Sequence, residues 1–502
     1  MLRNIGSTWV VTLAGIAATY VLTPFVIHTL GQEGYGVWTL IVSITGFISL
    51  LALGVPMACV RYVAQHVAER DATKINEAIG SCAGLYLILG AAAMLVGGLA
   101  SGTLLAYYDL PPGLHAEARL AFGIMVLTVS AGFIGFLPEG IMFAHHDFVL
   151  RNVIRVSGIL LRLALTLGLL ALDASLVLLA LVQLLCFAFD FGVAWLIIRR
   201  RYPAIRISLS DCNMPTIRRI FSFSVFVLLL HAGARLTFEA DALVIGATLG
   251  VALIPFYAVA NSLIVYVMEF IIAIAAVVSP MATKLSTEGR HPQLREMFLK
   301  WSKVALSLSL MVGVYLLVLG PRFLGWWIDP SFEAPSGRVL QILTISSLVF
   351  LPVRGVALPV LMGMGKPKLP TVAFVVAGIL NVALSIVLAK PLGLTGVTLG
   401  TAIPNIAFAM VVLVAACRAL EISVVHYLAY VVPRATAGAV PALAFLLWFR
   451  LGIGVETLTD MAVAGSAMVV LFGLTWIFFV YRKDPYVDVQ GQLGRLRAWS
   501  KA

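Results

Sequence analysis

Residues Ser7 to Leu30 read STWVVTLAGIAATYVLTPFVIHTL, and Gly36 to Val60 read GVWTLIVSITGFISLLALGVPMACV, with only GQEGY between them. Glu33 is the one acidic or basic (Asp, Glu, Lys or Arg) side chain in this stretch. A helix needs roughly 20 apolar residues to cross a hydrocarbon core. Two such runs joined by five residues predict an antiparallel pair of membrane-spanning helices. The start, Met1-Leu2-Arg3, looks like the n-region of a signal peptide. The apolar run that follows is too long for an h-region and leads straight into a second span. The expectation is therefore an uncleaved first helix.

Outward from this pair the pattern repeats to the far end of the chain. Apolar spans fall at approximately 7–30, 36–60, 78–107, 119–143, 152–172, 174–198, 220–248, 252–281, 301–320, 339–363, 369–389, 394–417, 427–449 and 461–481. Turns as short as Leu172-Asp173-Ala174 make neighbours antiparallel. The composition agrees: 502 residues are 61% apolar and 11% charged, against roughly 25% charged in soluble proteins. The prediction is an all-α polytopic membrane protein with about 14 transmembrane helices.

The net charge of +11 raises the question of nucleic acid, and position answers it. Of the 34 Lys and Arg, 24 lie in segments on the side of Arg3, among them Arg61, Arg151, Arg199 to Arg201, Lys303, Lys366 and Arg418. Five lie opposite: Arg119, Arg322, Arg338, Lys390 and Arg450. This bias puts both termini in the cytoplasm and makes the positive charge topological, with no nucleic-acid partner. The five cysteines show no metal-ligand spacing, so neither a disulfide framework nor a zinc site is expected.

The chain also looks duplicated. Thr29-Leu30-Gly31 and Thr248-Leu249-Gly250 lie 219 residues apart, and Gly158-Ile159-Leu160 and Gly378-Ile379-Leu380 lie 220 apart. Six spans per half give both halves the same orientation, hence a parallel repeat about an axis along the membrane normal. The expected organisation is an N-terminal six-helix lobe (1–200), a cytoplasmic basic linker (201–219), a C-terminal six-helix lobe (220–418), and two extra helices with a cytoplasmic tail (419–502).

A duplicated bundle with small loops is transporter-like. The sequence has no G-x-x-x-x-G-K-[ST] loop, no H-E-x-x-H and no recognisable Ser/His/Asp set. The outer loop from Pro321 to Arg338 is too short for a catalytic surface, and no cofactor is expected. No filter-like loop or acidic ring suggests a channel.

Leu30-Gly31-Gln32-Glu33-Gly34-Tyr35-Gly36-Val37-Trp38, with Leu53-Gly54-Val55 and Arg61-Tyr62-Val63-Ala64, resembles the first outer turn and second span of polysaccharide flippases of the Wzx type. These belong to the multidrug/oligosaccharidyl-lipid/polysaccharide exporter superfamily. The resemblance covers spans 1–12 in layout and the flanks of span 2 in residues. It implies two lobes around a central cavity lined by spans 1, 2, 7 and 8, and flipping of undecaprenyl-diphosphate-linked oligosaccharides. Other partners it suggests are membrane lipids, a polysaccharide polymerase and a chain-length regulator. Two sister branches fit less well. Lipid II flippases carry arginines within the first helix, and multidrug extruders carry an acidic residue early in the N-lobe; span 1 has neither. Both stay as alternatives, the second as a small-molecule or cation antiporter.

The chemistry can be stated independently. Each unpaired hydroxyl costs roughly 4–8 kcal/mol in hydrocarbon, so a glycan needs a wet cavity, and its diphosphate needs cations. A central Arg costs ~2.5–3.5 kcal/mol to insert, which makes Arg155, Arg162, Arg235, Arg354 and Arg434 functional candidates. His231, Arg235 and Glu239 share one helix face at i, i+4, i+8. They read as a binding stripe, or as an ion pair that only knits helices together. Arg162 is either a ligand or the partner of Asp173 or Asp190. Arg354 sits between Pro352 and Pro359 in an interrupted helix and is equally open. Arg61 either snorkels or captures diphosphate at the inner mouth. Asn261 and Glu269 of span 8 lie on similar faces, with Tyr257 and Tyr266 nearby. Arg151, Arg155, Glu139 and Arg434 read as interface or structural charges.

Overall fold

The computed structural model describes residues 2–52, 54–455, 457–480 and Asp484. The basic tail residues Arg482, Lys483, Arg495, Arg497 and Lys501 lie outside the described residues, as does Leu53. Every regular element among the described residues is helical, and twelve runs are long and apolar enough to cross a membrane. One of the twelve, Gly6–Glu69, contains both of the first two expected spans. The expected seventh span falls on two helices outside the twelve.

Packing divides the chain into Met1–Pro255 and Phe256–Ala502. The first unit holds α1 (Leu2–Ile48), α2 (Val55–Glu69), α3 (Ala72–Tyr107), α4 (His115–Ala144), α5 (Phe148–Leu170), α6 (Leu176–Arg201), α7 (Met214–Phe238) and α8 (Asp241–Thr248). Within α1 the backbone turns at Gly31, with φ 73° and ψ 173°. Gly250, after α8, has φ 101° and ψ 153°. A residue with a Cβ pays a steric penalty in this region, so both turns call for glycine. The repeated Thr-Leu-Gly triplets thus mark the same backbone bend twice.

The basic linker after α6 is docked on α3. Asn76 donates to the Ala204 carbonyl at 3.3 Å and accepts from the Arg206 amide at 2.9 Å. The Asn213 amide donates to Ser81 Oγ at 2.9 Å, and Thr216 Oγ1 donates to Glu77 at 2.9 Å. At the linker's start Tyr202 donates to Asp147 and stacks on His145, while Arg201 pairs with Asp147 at 2.9 Å. Burial, reinforced by the Asp147 carboxylate, pushes the Tyr202 phenol up to about 12, so it stays a donor at neutral pH.

The cysteine expectation is corrected here. Cys59 of α2 and Cys82 of α3 are joined by a disulfide, with their Cα atoms 6.1 Å apart. Twenty-three residues separate them in sequence. The α2–α3 hairpin folds that distance back on itself, which spacing alone does not reveal.

The second unit holds most of α9 (Ile254–Thr287), then α10 (His291–Val318), α11 (Gly320–Trp327), α12 (Glu333–Pro352), α13 (Leu358–Gly363), α14 (Lys368–Leu392), α15 (Leu394–Ala419), α16 (Val424–Trp448) and α17 (Leu458–Thr475). The last two helices pack on α10 through a core that includes Val314, Val318, Ala442, Leu446, Met468 and Phe472. Lys303 departs from expectation. It is fully buried within α10 and pairs with Asp484, which also accepts from Tyr430 at 3.0 Å. Arg434 stacks 4.5 Å over the same Tyr430 ring. The sequence places Lys303 at an inner helix end, where a solvated head is the norm. Asp484 lies against it instead.

Candidate functional site

Two expected spans of the first unit are interrupted, and the interruptions build a site. The span read as 36–60 stops as an α-helix at Ile48. It continues as a 3₁₀ turn, Ser49–Ala52, and restarts at Val55 after Gly54, whose φ is 70°. Pro56 fits the first turn of the new helix because its missing N–H is not needed there. The span read as 220–248 also breaks. Phe238 ends α7, Glu239 takes φ −126° and ψ −9°, and α8 begins at Asp241.

A cavity of about 500 Å³ opens beside these breaks. Its wall includes Ser49 of the 3₁₀ turn, Glu139 of α4, Arg151 of α5, and His231 and Arg235 of α7. The Arg235 guanidinium pairs with Glu239 one turn along and donates to Ser49 Oγ at 3.4 Å. Its side chain remains 31% exposed, so the pairing leaves part of its donor fork free to face the cavity. Ser43 Oγ donates to the Glu239 carbonyl at 3.3 Å, which holds the broken end of α7 against α1. On the α4 and α5 side, Glu139 lies 3.8 Å from Arg151 Nε and 3.7 Å from Arg155 Nε. Arg151 also sits 5.8 Å over the Phe143 ring. Met57 and Phe136 supply apolar wall. The chemistry is cationic and hydrogen-bonding on an apolar frame. Such a site can take phosphate oxygens bidentately and offer partners to hydroxyls.

Close approach makes room for the ion pair. A Cβ at Gly46 would stand 2.6 Å from Arg235 Nη1 and 3.0 Å from Glu239 Oε2. The obstructed atoms are ends of long side chains, so the backbone can tolerate the change while the pair cannot keep its position. Gly46→Ala is therefore expected to leave membrane abundance unchanged while moving the Arg235–Glu239 pair off the Gly46 backbone. A structure of the variant, with parallel immunoblotting of membranes, checks this. An unmoved pair would show that the added methyl is accommodated elsewhere.

The structure distributes the other sequence candidates differently. Arg61 and Arg162 are exposed on α2 and α5 and do not line this cavity. Arg354, Asn261 and Glu269 belong to the second unit. Arg354 lies in a π-helical turn, Val353–Ala357, with its Cζ 4.8 Å over the Phe374 ring. Its Nε is buried and has no hydrogen-bond partner among the described residues. Asn261 is half-buried and Glu269 exposed on α9. Tyr257 is buried, with its hydroxyl 3.2 Å from Thr401 Oγ1, so it is not free to stack on a sugar. Sequence reading missed the lining roles of Glu139 and Arg151, which it treated as structural and interfacial. It also missed Ser49 and Gly46, which carry no signal before the chain is folded.

Comparison with known proteins follows the same lines. The family model described as "Polysaccharide biosynthesis protein" matches residues 1–286. The chain is 23% identical over 394 residues to a Bacillus subtilis (strain 168) protein described as uncharacterized membrane protein EpsK, covering 76% of each chain. Among solved structures it is similar to the lipid II flippase MurJ in an inward closed conformation. That match has a TM-score of 0.73 at 11% identity and covers 96% of this chain and 99% of the other. An inward-facing multidrug resistance MATE family transporter of the MOP superfamily matches with a TM-score of 0.67 at 17% identity, over 82% of this chain and 98% of the other. At these identities the structural matches speak to the fold.

Proposed function

The chain belongs to the polysaccharide biosynthesis protein family, and from that premise we propose that it is a flippase for undecaprenyl-diphosphate-linked oligosaccharide repeat units. It would serve O-antigen, exopolysaccharide or capsule assembly at the bacterial inner membrane, by transport and not by catalysis. The observation that carries the reading is the cavity beside the two broken helices, with Arg235, His231 and Arg151 on a partly apolar wall.

Each part of the substrate has a counterpart there. The diphosphate carries negative charge that Arg235 can meet with its planar fork. In a low-dielectric surround such a contact is worth far more than in water. Sugar hydroxyls need partners to avoid the desolvation cost, and Ser49, His231 and Glu139 offer them. Met57 and Phe136 offer apolar contact to the first units of the isoprenoid chain. Glu239 keeps Arg235 aimed while the cavity is empty, which lowers the cost of a lone buried cation. With no nucleotide-binding motif in the sequence, an ion gradient, the membrane potential or downstream polymerisation supplies the energy. A polymerase and a chain-length regulator are the proposed protein partners.

Deleting the gene tests the reading. Surface or secreted polysaccharide should be lost, and lipid-linked repeat units should accumulate on the cytoplasmic face. Labelling with a membrane-impermeant glycan reagent, before and after permeabilisation, separates the two faces. Accumulation of lipid II instead would favour the peptidoglycan alternative. Normal polysaccharide with loss of drug resistance alone would favour an antiporter.

A further inference from the structure

In the second unit a groove of about 660 Å³ runs between α13, α14 and α15. Leu361, Leu369, Met410 and Val411 form apolar wall, and Lys366 and Arg418 stand at one end. Both cations are exposed, and neither has a hydrogen-bond or ion-pair partner among the described residues. Some other cations of the same unit are paired. Lys303 pairs with Asp484, Arg295 with Glu421, and Lys284 with Glu288 at 3.9 Å. The charge bias of the sequence puts the Lys366 and Arg418 end at the cytoplasmic membrane surface.

We propose that this groove is a binding site for an anionic phospholipid of the cytoplasmic leaflet. The phosphate sits on Lys366 and Arg418, and one acyl chain lies along Met410 and Val411. Eight residues separate Met410 from Arg418, which is ~12 Å along a helix. That length covers the glycerol and the first part of an acyl chain below a headgroup held at the surface. Charge complementarity selects the lipid. A zwitterionic headgroup brings its own cation to a place already holding two, whereas an anionic one compensates them. A single juxtamembrane Lys or Arg favours anionic lipid about fivefold, and two favour it about thirtyfold. The inference rests on the orientation drawn from the charge bias and is independent of the transported substrate.

The test uses the full chain in nanodiscs of phosphatidylcholine doped with phosphatidylglycerol, with retained lipid measured by native mass spectrometry. The native chain should retain phosphatidylglycerol over phosphatidylcholine by about thirtyfold. Lys366→Ala and Arg418→Ala should each lose about fivefold, and the double variant should lose the preference. Met410→Trp fills the groove while keeping both cations, and should also lose retention. Arg322→Ala, away from the groove, is the control and should behave as native. Three results would each overturn the proposal. One is native-like retention by the double variant. Another is equal competition by glycerol phosphate, which would make this an anion subsite with no role for the acyl chain. The third is stoichiometric displacement by undecaprenyl diphosphate, which would make the groove part of the substrate path.

Discussion

Arg235→Ala should reduce transport by at least about thirtyfold at normal membrane abundance. Removing one member of a partly buried charge pair typically costs about 2 kcal/mol or more in binding. Here the same change removes from the cavity wall the guanidinium proposed to bind the phosphate, and it leaves Glu239 without its partner. Arg235→Lys keeps the charge and loses the planar fork, so it should retain partial transport. The double change Arg235→Ala with Glu239→Ala separates two meanings of the pair. If Arg235 only balances Glu239, taking both charges away should restore function, because neither is then left unpaired. If Arg235 binds substrate, the double variant stays inactive. Complementation of polysaccharide export, with abundance measured in parallel, gives the readout, and full rescue by the double variant would falsify the ligand role.

Asp484→Ala should have the largest effect on stability. The side chains of Lys303 and Asp484 are both buried and face each other beside Tyr430. Breaking a buried pair from one side costs about 3–5 kcal/mol, since the remaining charge keeps its desolvation penalty without compensation. The variant should fall sharply in membrane abundance and unfold at lower temperature in detergent. Lys303→Met combined with Asp484→Leu should recover most of the loss, because replacing both charges with apolar groups of similar size is close to neutral. Fluorescence-detected size-exclusion and thermal unfolding measure both. Unchanged unfolding of Asp484→Ala would show that the pair does not contribute to stability.

The legible part of the site is the part that follows from one helix. His231, Arg235 and Glu239 are three points on a single period, so their common face could be read directly, and the Arg235–Glu239 pair forms as that period requires. Ser49, Glu139 and Arg151 reach the same cavity from three other elements. No spacing relates them to Arg235, and each alone has an ordinary interpretation as a helix-end or interface residue. Gly46 is less legible still. Its part is the absence of a side chain opposite the pair, and that absence means something only when α7 lies beside α1.

The sequence by itself determined that this is a helical membrane protein and approximately where its spans run, and it showed the Thr-Leu-Gly triplet twice. Hydrocarbon admits a backbone only as helix or closed barrel, so apolar length and turn residues decide those matters locally. That Gly31 and Gly250 each turn the backbone is seen only in the structure. The tertiary structure alone decided that spans 2 and 7 break, which charges are buried and which cysteines meet. The break of span 2 at Ser49–Ala52, the burial of Lys303 and the Cys59–Cys82 bond each depend on what packs alongside. Lipid is as apolar as leucine and gives helices no hydrophobic reason to choose partners. That choice falls to close contacts, hydrogen bonds and ion pairs between residues far apart in the chain, which periodicity in one helix does not encode.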